Sequence, residues 1–495
     1  MTLRNRLGVA LFSFVNLDRN SHVPLFLQLD SQIRQAILSG RLASGLRLPS
    51  SRVLAKELGI SRTSVVMAFE QLIAEDFLEG RVGAGTFIGA NITEQILEPL
   101  PPDRIGAGRE KPEVILSRRG ALVAKSPSNI PPLVPTAFLP NQPAYDQFPF
   151  NIWARLTSRR VRQPEIEMLN YGPPHGYPPL RRAIAAYLRD ARGIKCDADQ
   201  IVVVAGAQMA LSLTAWILLN PGDAVLMEDP CYLTIRDMFI GFGASLVNVP
   251  VDKNGMDVSA GVASKPDARM ALVAPSHQYP MGVTLSLPRR LELLAWATRN
   301  KSWVVEDDYD SEFRFSGAPL APMQTIDRNG RVIYIGTFSK VLFPSLRIGY
   351  LVVPPGLVDA YGAAVHLLTR GMSTLTQAVL ADFIDSGYFT NHVRRMRLVY
   401  AERQEALVGA IRGELDGLMN VTPARAGMNA IGWLPRGSDD VMTARKMMNQ
   451  GIMSGPMSYY FTEQQPRAGL FLGFSCSPVE KIPPAVQQMA RVLGG

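Results

Sequence analysis

Apolar residues recur at helical spacing near the start of the chain, at Leu25, Leu29, Ile33 and Ile37, and Gly40 follows. This predicts a helix with one buried face, closed by the glycine. "LPSSRVLAKELGI" predicts a second, shorter helix. Ser50 or Ser51 caps it, Leu54, Ala55 and Leu58 face inward, and Gly59 permits a tight turn. "SRTSVVMAFEQLIAEDFL" predicts a third helix, capped by Ser61, with Val66, Phe69, Leu72 and Ile73 as its buried stripe. "FLEGRVGAGTFI" then reads as two short strands around a glycine-rich turn. The pattern lapses over residues 90–137, where "EPLPPDRIGAGREKPEV" and "KSPSNIPPLVP" predict an extended, proline-stiffened linker. From residue 138 to 495 short apolar runs return: "QIVVVAG", "AVLMED", "ARMALVAP", "WVVEDD" and "RVIYIGTF". They are strand-like, with helix-length segments between several of them, which predicts an α/β sheet of mostly parallel strands. No short internal repeat is visible.

These boundaries give three parts: residues 21–89, a linker over 90–137, and a large domain over 138–495. A length of 495 residues, 47% hydrophobic and 19% charged, is an ordinary globular balance with ample sequence for a large core. The net charge of +8 tolerates a polyanionic partner without requiring one. Cys196, Cys231 and Cys476 are scattered and odd in number, so neither a disulfide framework nor a zinc pattern follows, and a reducing cytoplasm fits. The five histidines are scattered too, and no metal site is expected. No apolar run approaches the roughly 20 residues that span a bilayer. The start, "MTLRNRLGVALFSFVNLDRN", weakly imitates a signal peptide but lacks a small-residue cleavage site.

Two helices joined by a glycine-containing turn, with polar residues opening the second, have the geometry for docking in a DNA major groove. Arg62, Thr63 and Ser64 in that first turn offer a guanidinium and hydroxyls to phosphates and base edges, and Arg81 in the wing is placed to reach an adjacent groove. A small helical protein-binding domain fits the same pattern. This stretch also resembles the winged helix-turn-helix of GntR-type bacterial regulators over Pro24 to Ile88, most specifically in "LPSSRVLAKELGISRTSV" and "GAGTFI". The resemblance implies double-stranded operator DNA as partner, with contacts from Arg52, Ser61, Arg62, Thr63, Ser64 and Gly83.

The large domain carries a different chemistry. An aldehyde cofactor such as pyridoxal 5'-phosphate (PLP) needs a lysine for a Schiff base, an acid for its ring nitrogen, a phosphate seat, and a flat ring to stack on. Lys340 follows the run "VIYIGTF" within a few residues, beside Thr337 and Ser339, with Arg347 seven residues on. In an apolar setting such a lysine has a lowered pKa and reacts with aldehydes. Asp307 ends "WVVEDD", where ligands of open α/β sheets gather, and Tyr309 is placed to donate to the ring's phenolic oxygen. Gly206, Ala207 and Gln208 lie between a strand and a helix, a seat for phosphate. Tyr232 offers a stacking face. Taken singly, each has a bland reading: a surface lysine, solvated acids, a core tyrosine.

Together, "NYGPPHGYPPLR", "EDPCY", "APSHQYPMGV", "EDDYDSEFR" and "GTFSKVLFPSLRIGY" make the chain from about Phe138 onward resemble the fold-type I aminotransferases. Fused to a GntR-type head, it is similar to the MocR/GabR family of bacterial transcriptional regulators. The fold class implied is multidomain, α+β and α/β: an N-terminal winged helix-turn-helix, a linker and a C-terminal fold-type I aminotransferase-like domain. The resemblance implies Lys340 as the cofactor lysine, Asp307 on the ring nitrogen and Tyr309 on the phenolic oxygen. It also implies Tyr232 stacking, and Gly206 to Gln208, Thr337, Ser339 and Arg347 on the phosphate. It implies a head-to-tail, domain-swapped homodimer in which Tyr171 reaches the partner's phosphate.

Two positions depart from a working aminotransferase. Those enzymes carry an arginine for the substrate carboxylate in a C-terminal strand; in "GLFLGFSCSP" Phe471 takes its place, with Arg467 or Arg425 as substitutes. "SHQYPMG" also lacks the asparagine that enzymes place before the proline, leaving His277 and Gln278 as polar candidates for the cofactor. The reading is therefore a regulator that senses PLP, an amine or an amino acid such as GABA or taurine through Lys340. Two alternatives remain: an active aminotransferase with a regulatory head, and a DNA-binding protein whose large domain is only a scaffold.

Overall fold

The computed structural model describes residues 12–81, 83–89, 115–126, 137–315, 320–464 and 467–494. The chain divides between Val114 and Ile115 into two compact units. Most of the expected linker (90–114 and 127–136), and the first eleven residues, lie outside the described residues.

In the smaller unit, helices α1 (Leu25–Leu38), α2 (Ser51–Leu58) and α3 (Arg62–Ala74) precede the antiparallel wing strands β1 (Leu78–Arg81) and β2 (Gly85–Ile88). Helices α2 and α3 each begin at a serine cap. Ser50 caps α2, its Oγ accepting from the Val53 amide, and Gly59 ends α2 in the left-handed conformation at φ 64°. Ser61 caps α3 by accepting from the Ser64 amide at 3.0 Å. The buried face of α3 is Val65, Ala68, Phe69 and Leu72. It is turned one residue from the expected stripe: Val66 is only half-buried and Ile73 is 37% exposed. A run with apolar residues at 65, 66, 67, 68 and 69 leaves the phase of the helix open, and packing against α1 fixes it. The backbone at 45–48 adds a third rung to the wing, with the Leu48 amide donating to Thr86 O at 2.9 Å.

In the larger unit the expected strands form as β3 (Ile201–Val204), β4 (Ala224–Asp229), β7 (Met270–Val273), β8 (Trp303–Asp308) and β9 (Val332–Thr337). They join β5 (Ser245–Asp252), β6 (Gly255–Met256) and β10 (Gly349–Val352) in one sheet of order β3-β10-β9-β8-β7-β4-β5-β6. The run β9-β8-β7-β4-β5 is parallel; β10 is antiparallel to both its neighbours. Strands β3, β4, β7 and β9 are buried on both faces, which is why they read as continuous apolar runs rather than alternating ones. A second, antiparallel sheet of order β11-β12-β14-β13 contains β11 (Asn420–Val421), β12 (Asn429–Trp433), β13 (Gly455–Pro456) and β14 (Gly469–Gly473).

Within the expected linker, residues Arg118–Val123 form a short helix capped by Ser117. Ser126 Oγ donates to Asp237 Oδ2 at 2.9 Å, so this piece is docked on the helix Leu233–Gly241. Docking, not its own periodicity, holds it, and a pattern argument does not see that.

Candidate functional site

The parallel strands end along one edge of the large sheet, and the loops that leave them enclose a cleft of about 350 Å³. Ala207, Gln208, Tyr232, Asp307, Tyr309, Thr337, Ser339, Lys340 and Arg347 all line it. These residues are spread over 141 positions of sequence and come from five different loops or strand ends. A crevice beyond the carboxyl ends of the strands is where such sheets take their ligands.

Lys340 follows β9 and is set among the buried Phe338, Val341 and Leu342. Burial pushes its amine down to about 8, against the opposing pull of Asp310 and Asp307. Its Nζ donates to Asn141 O at 3.1 Å. Asp307 sits at the end of β8, and burial, with the charges of Asp308 and Asp310, raises its carboxyl to about 7. Asp307 Oδ1 is shielded from solvent and makes no hydrogen bond among the described residues. A buried carboxylate oxygen without a partner is costly, and Asp307 lines the cleft from which a donor can reach it.

Gly206 turns the chain from β3 into the helix Ala207–Leu218 with φ 85°, a conformation that side chains with a Cβ rarely adopt. The helix start leaves backbone N–H groups without intrahelical partners. Beside them, Arg347 Nη2 donates to Ala205 O at 2.9 Å. Gly349 lies so close behind this turn that a Cβ on it would stand 2.9 Å from the Gly206 backbone. Thr337 Oγ1 accepts from the Ser339 amide at 3.2 Å, which fixes the loop ahead of Lys340. The corner gathers helix-start amides, hydroxyls and one guanidinium, groups of the kind that bind anions.

At the opposite end Tyr309 OH is 3.3 Å from His277 Nδ1. His277 does not line this cleft. Its Nδ1 is 2.9 Å from Asp310 Oδ1, and its ring borders an adjoining cavity of about 460 Å³ that also touches Arg425 and Phe471. Burial alone would lower the imidazole's pKa, but the Asp310 carboxylate outweighs it and raises it. Gln278 is turned away too, its Nε2 donating to Pro230 O and Tyr279 O, both at 2.7 Å. The residue that meets the cleft is Tyr279. It stands immediately before Pro280, where the aminotransferase pattern has an asparagine, so its position in the sequence marks it. Its hydroxyl accepts from Asn141 Nδ2 at 3.1 Å and donates to Tyr460 OH at 3.3 Å. Asn141 had no sequence signal. It is held by Asn429, whose Oδ1 accepts from the Asn141 amide at 2.9 Å and whose Nδ2 donates to Asn141 Oδ1 at 3.1 Å. Tyr171 does not reach this cleft within its own chain; it is 72% exposed, with the Arg370 guanidinium 5.3 Å from its ring centre.

In the smaller unit the first turn of α3 faces outward, with Ser61, Arg62 and Thr63 exposed, Ser64 half-buried, and Arg52 exposed on α2. Ser61 Oγ is engaged in its cap and lies 2.8 Å from Ser64 Oγ. Arg81 pairs with Glu79 at 3.1 Å and lies over the Phe87 ring at 4.7 Å, and Gly83 makes the wing turn at φ 73°. Arg47, which no motif of the sequence singles out, also lies on the wing, 6.0 Å from the centre of the Phe87 ring.

Residues 26–88 match the family of bacterial regulatory proteins named gntR, and residues 141–468 match aminotransferase class I and II. The chain is 40% identical to the probable rhizopine catabolism regulatory protein MocR of Rhizobium meliloti, over 93% of this chain and 92% of that one. It is 32% identical to the pyridoxine biosynthesis transcriptional regulator PdxR of Corynebacterium glutamicum, over 92% and 93%. Among solved structures, kynurenine aminotransferase of Pyrococcus horikoshii, a complex with PMP, superposes with a TM-score of 0.66 at 28% identity, over 76% of this chain and 92% of that one. The larger unit thus has the fold-type I aminotransferase fold, and no helix among the described residues is long and apolar enough to cross a membrane. With both family matches on one chain and full-length relatives of the same build, the protein belongs to the MocR family, in which a gntR-type DNA-binding domain is joined to an aminotransferase-like domain.

Proposed function

We propose that this chain is a transcriptional regulator whose large domain holds PLP at Lys340 and reads either PLP itself or an amine or amino acid that reacts there. The domains are those of the sequence reading: a DNA-binding head over 21–89, a linker, and an effector and dimerisation domain from 138 onward. The observation that carries the proposal is the pairing of Lys340 with Asp307 in one cleft, the amine lowered to about 8 and the acid raised to about 7. An amine that is partly neutral near physiological pH is what condensation with an aldehyde requires.

The residues present fit the cofactor. Asp307 Oδ1 lacks a donor, and a protonated ring nitrogen is one that would also return the acid to its charged form. The Gly206–Gln208 turn, Thr337, Ser339 and Arg347 would take the phosphate, Tyr232 would stack, and Tyr309 would serve the phenolic oxygen. When bound, PLP supplies a carbonyl that exchanges amines and a ring that withdraws electrons. His277 would act at one remove, holding Tyr309 while Asp310 holds it. In a head-to-tail homodimer the exposed Tyr171 would reach the partner's phosphate seat. Arg52, Ser61, Arg62, Thr63, Ser64, Arg81 and Gly83 would meet operator DNA, a role that fits the cytoplasm. An effector shifts DNA binding only by binding one arrangement of the dimer more tightly than another.

The test is a mobility shift on the DNA upstream of the protein's own gene, with and without PLP, for wild type and Lys340→Ala. A discrete complex whose affinity changes with PLP in wild type alone supports the proposal. Absence of specific binding at every DNA segment tried would overturn it. The competing reading, an aminotransferase, requires sustained turnover of an amino donor and an oxo acid, and Phe471 stands against it.

A further inference from the structure

Resting on that reading, we infer that Glu228 is a positioning residue for the cofactor: as a neutral carboxylic acid it donates a hydrogen bond to Asp307, and so holds Asp307 as the carboxylate that meets the ring nitrogen. Glu228 and Asp307 stand near the carboxyl ends of β4 and β8, the two strands that flank β7. Glu228 is buried, and its Oε2 accepts from the Ala274 amide at 3.2 Å. Its Oε1 is shielded from solvent and makes no hydrogen bond among the described residues, and the same holds for Asp307 Oδ1. Both residues line one void of about 40 Å³. The void adjoins the cleft and shares Tyr232, Ile235, Tyr279, Asp307 and Tyr309 with it, while Glu228 lines the void alone. The remaining wall is Met227, Cys231, Leu272, Val273 and Ala274.

Two ionised carboxylates are costly in this place. Among the described residues lining the void there is no lysine, arginine or histidine. The donors that act on Glu228 are uncharged: the Ala274 amide and the side-chain amide of Gln278. A charged Glu228 would be a buried anion beside a second anion, with no cation on the void to offset it. Burial raises its carboxyl to about 8; the two amides pull it down, and the charge of Asp307 adds to the rise. Asp307, raised by burial to about 7 and drawn down by Lys340, ionises first, and Glu228 keeps its proton. One acid then has an O–H to give, and the other has lone pairs to take it. A carboxylate offers about four acceptor sites, so Asp307 can meet this donor and a ring N–H together. The hydrogen bond runs directly or through one water, for which the void has room. An apolar site can keep a carboxylic acid neutral so that it donates, and a bond to an anion is among the stronger ones. Without that donor Asp307 would hold a proton more readily, and the ring nitrogen would lose one.

The experiment uses the full-length protein and has two readings. Infrared difference spectra of wild type against Glu228→Gln at neutral pH, with and without PLP, report the carbonyl stretch of a protonated carboxyl. PLP carrying nitrogen-15 in its ring is then bound to Glu228→Gln and to Glu228→Leu, and NMR follows the ring signal with pH. Neither new side chain titrates, but only the glutamine keeps a donor. The expected results are a protonated-carboxyl band in wild type that Glu228→Gln removes, and a ring-nitrogen midpoint about one pH unit lower in Glu228→Leu than in Glu228→Gln. That is a roughly tenfold loss of the protonated ring, the size of one hydrogen bond to a charged group. A role in packing alone would leave the two midpoints equal, and equal midpoints overturn the inference. So does the absence of the band from wild type, since Glu228 is then ionised. Where Glu228→Leu does not fold, the infrared band decides. If PLP does not bind wild type, the regulator reading fails and this inference falls with it; if PLP binds and either result is negative, this inference fails alone.

Discussion

The lowered pKa of Lys340 makes a quantitative demand. Unperturbed, the amine would titrate at 10.5; burial among Phe338, Val341 and Leu342 brings it to about 8. At pH 7 that difference raises the fraction of neutral amine about 300-fold, from roughly 0.03% to roughly 10%. The sign follows from the charge: burial disfavours the ammonium, so the reactive form grows as pH rises through 8 and saturates above 9. Protein freed of cofactor should therefore capture PLP at a rate that climbs tenfold per pH unit below 8 and then levels. Stopped-flow absorbance gives the rate, and the same series on a small free amine corrects for the titration of PLP itself. Asp307 and Asp310 both pull the lysine upward, so Asp310→Asn should move the midpoint lower still. A rate that keeps climbing past pH 10, with no plateau near 8, would show that the lysine is solvated and that this account of its reactivity is wrong.

Three further outcomes follow from the geometry. Arg192 and Asp308 form a buried pair at 2.5 Å, 5% and 2% exposed, near the acids Glu306 and Glu312; Arg192→Met should cost about 3–5 kcal/mol in urea unfolding of the large unit, by stranding the Asp308 charge. Gly349→Ala would drive a methyl against the Gly206 backbone at 2.9 Å, and PLP affinity, measured by fluorescence titration, should fall at least tenfold while the winged helix still binds DNA. Ser61→Ala removes the cap of α3 and should lower thermal stability of the head by about 1 kcal/mol, whereas Ser61→Asp keeps a capping acceptor but should weaken DNA binding in a mobility shift by charge repulsion.

Local chemistry made much of this fold legible. The caps at Ser50 and Ser61, the left-handed turn at Gly59 and the five expected strands each depend on a few neighbouring residues, and each forms where the pattern places it. The exceptions have one cause. The face of α3 rotated by a residue, the helix at Arg118–Val123 appeared inside an expected linker, and β10 came in antiparallel, because each is decided by what packs against it. A four-residue run such as "GYLV" carries no mark of its direction; both partners of β10 are fixed only once the sheet has assembled.

The site divides along the same line. Lys340, Asp307, Tyr309, Tyr232 and the Gly206 turn lie beside strand ends, so a short motif announces both the residue and its position at the edge of the sheet. The wall facing them has no such motif. Asn141, Tyr279, Asn429, Tyr460 and Phe471 come from five segments across 331 residues and meet only where the small sheet closes on the large one. Residue type misleads there as well: a histidine and a glutamine next to the missing asparagine look like replacements, yet Asp310 and the Pro230 carbonyl draw both away from the cleft. The cofactor end is thus written in local sequence because its chemistry needs particular groups at particular strand ends. The side facing it is written in packing, where a tyrosine or a phenylalanine reads as core until its neighbours are known.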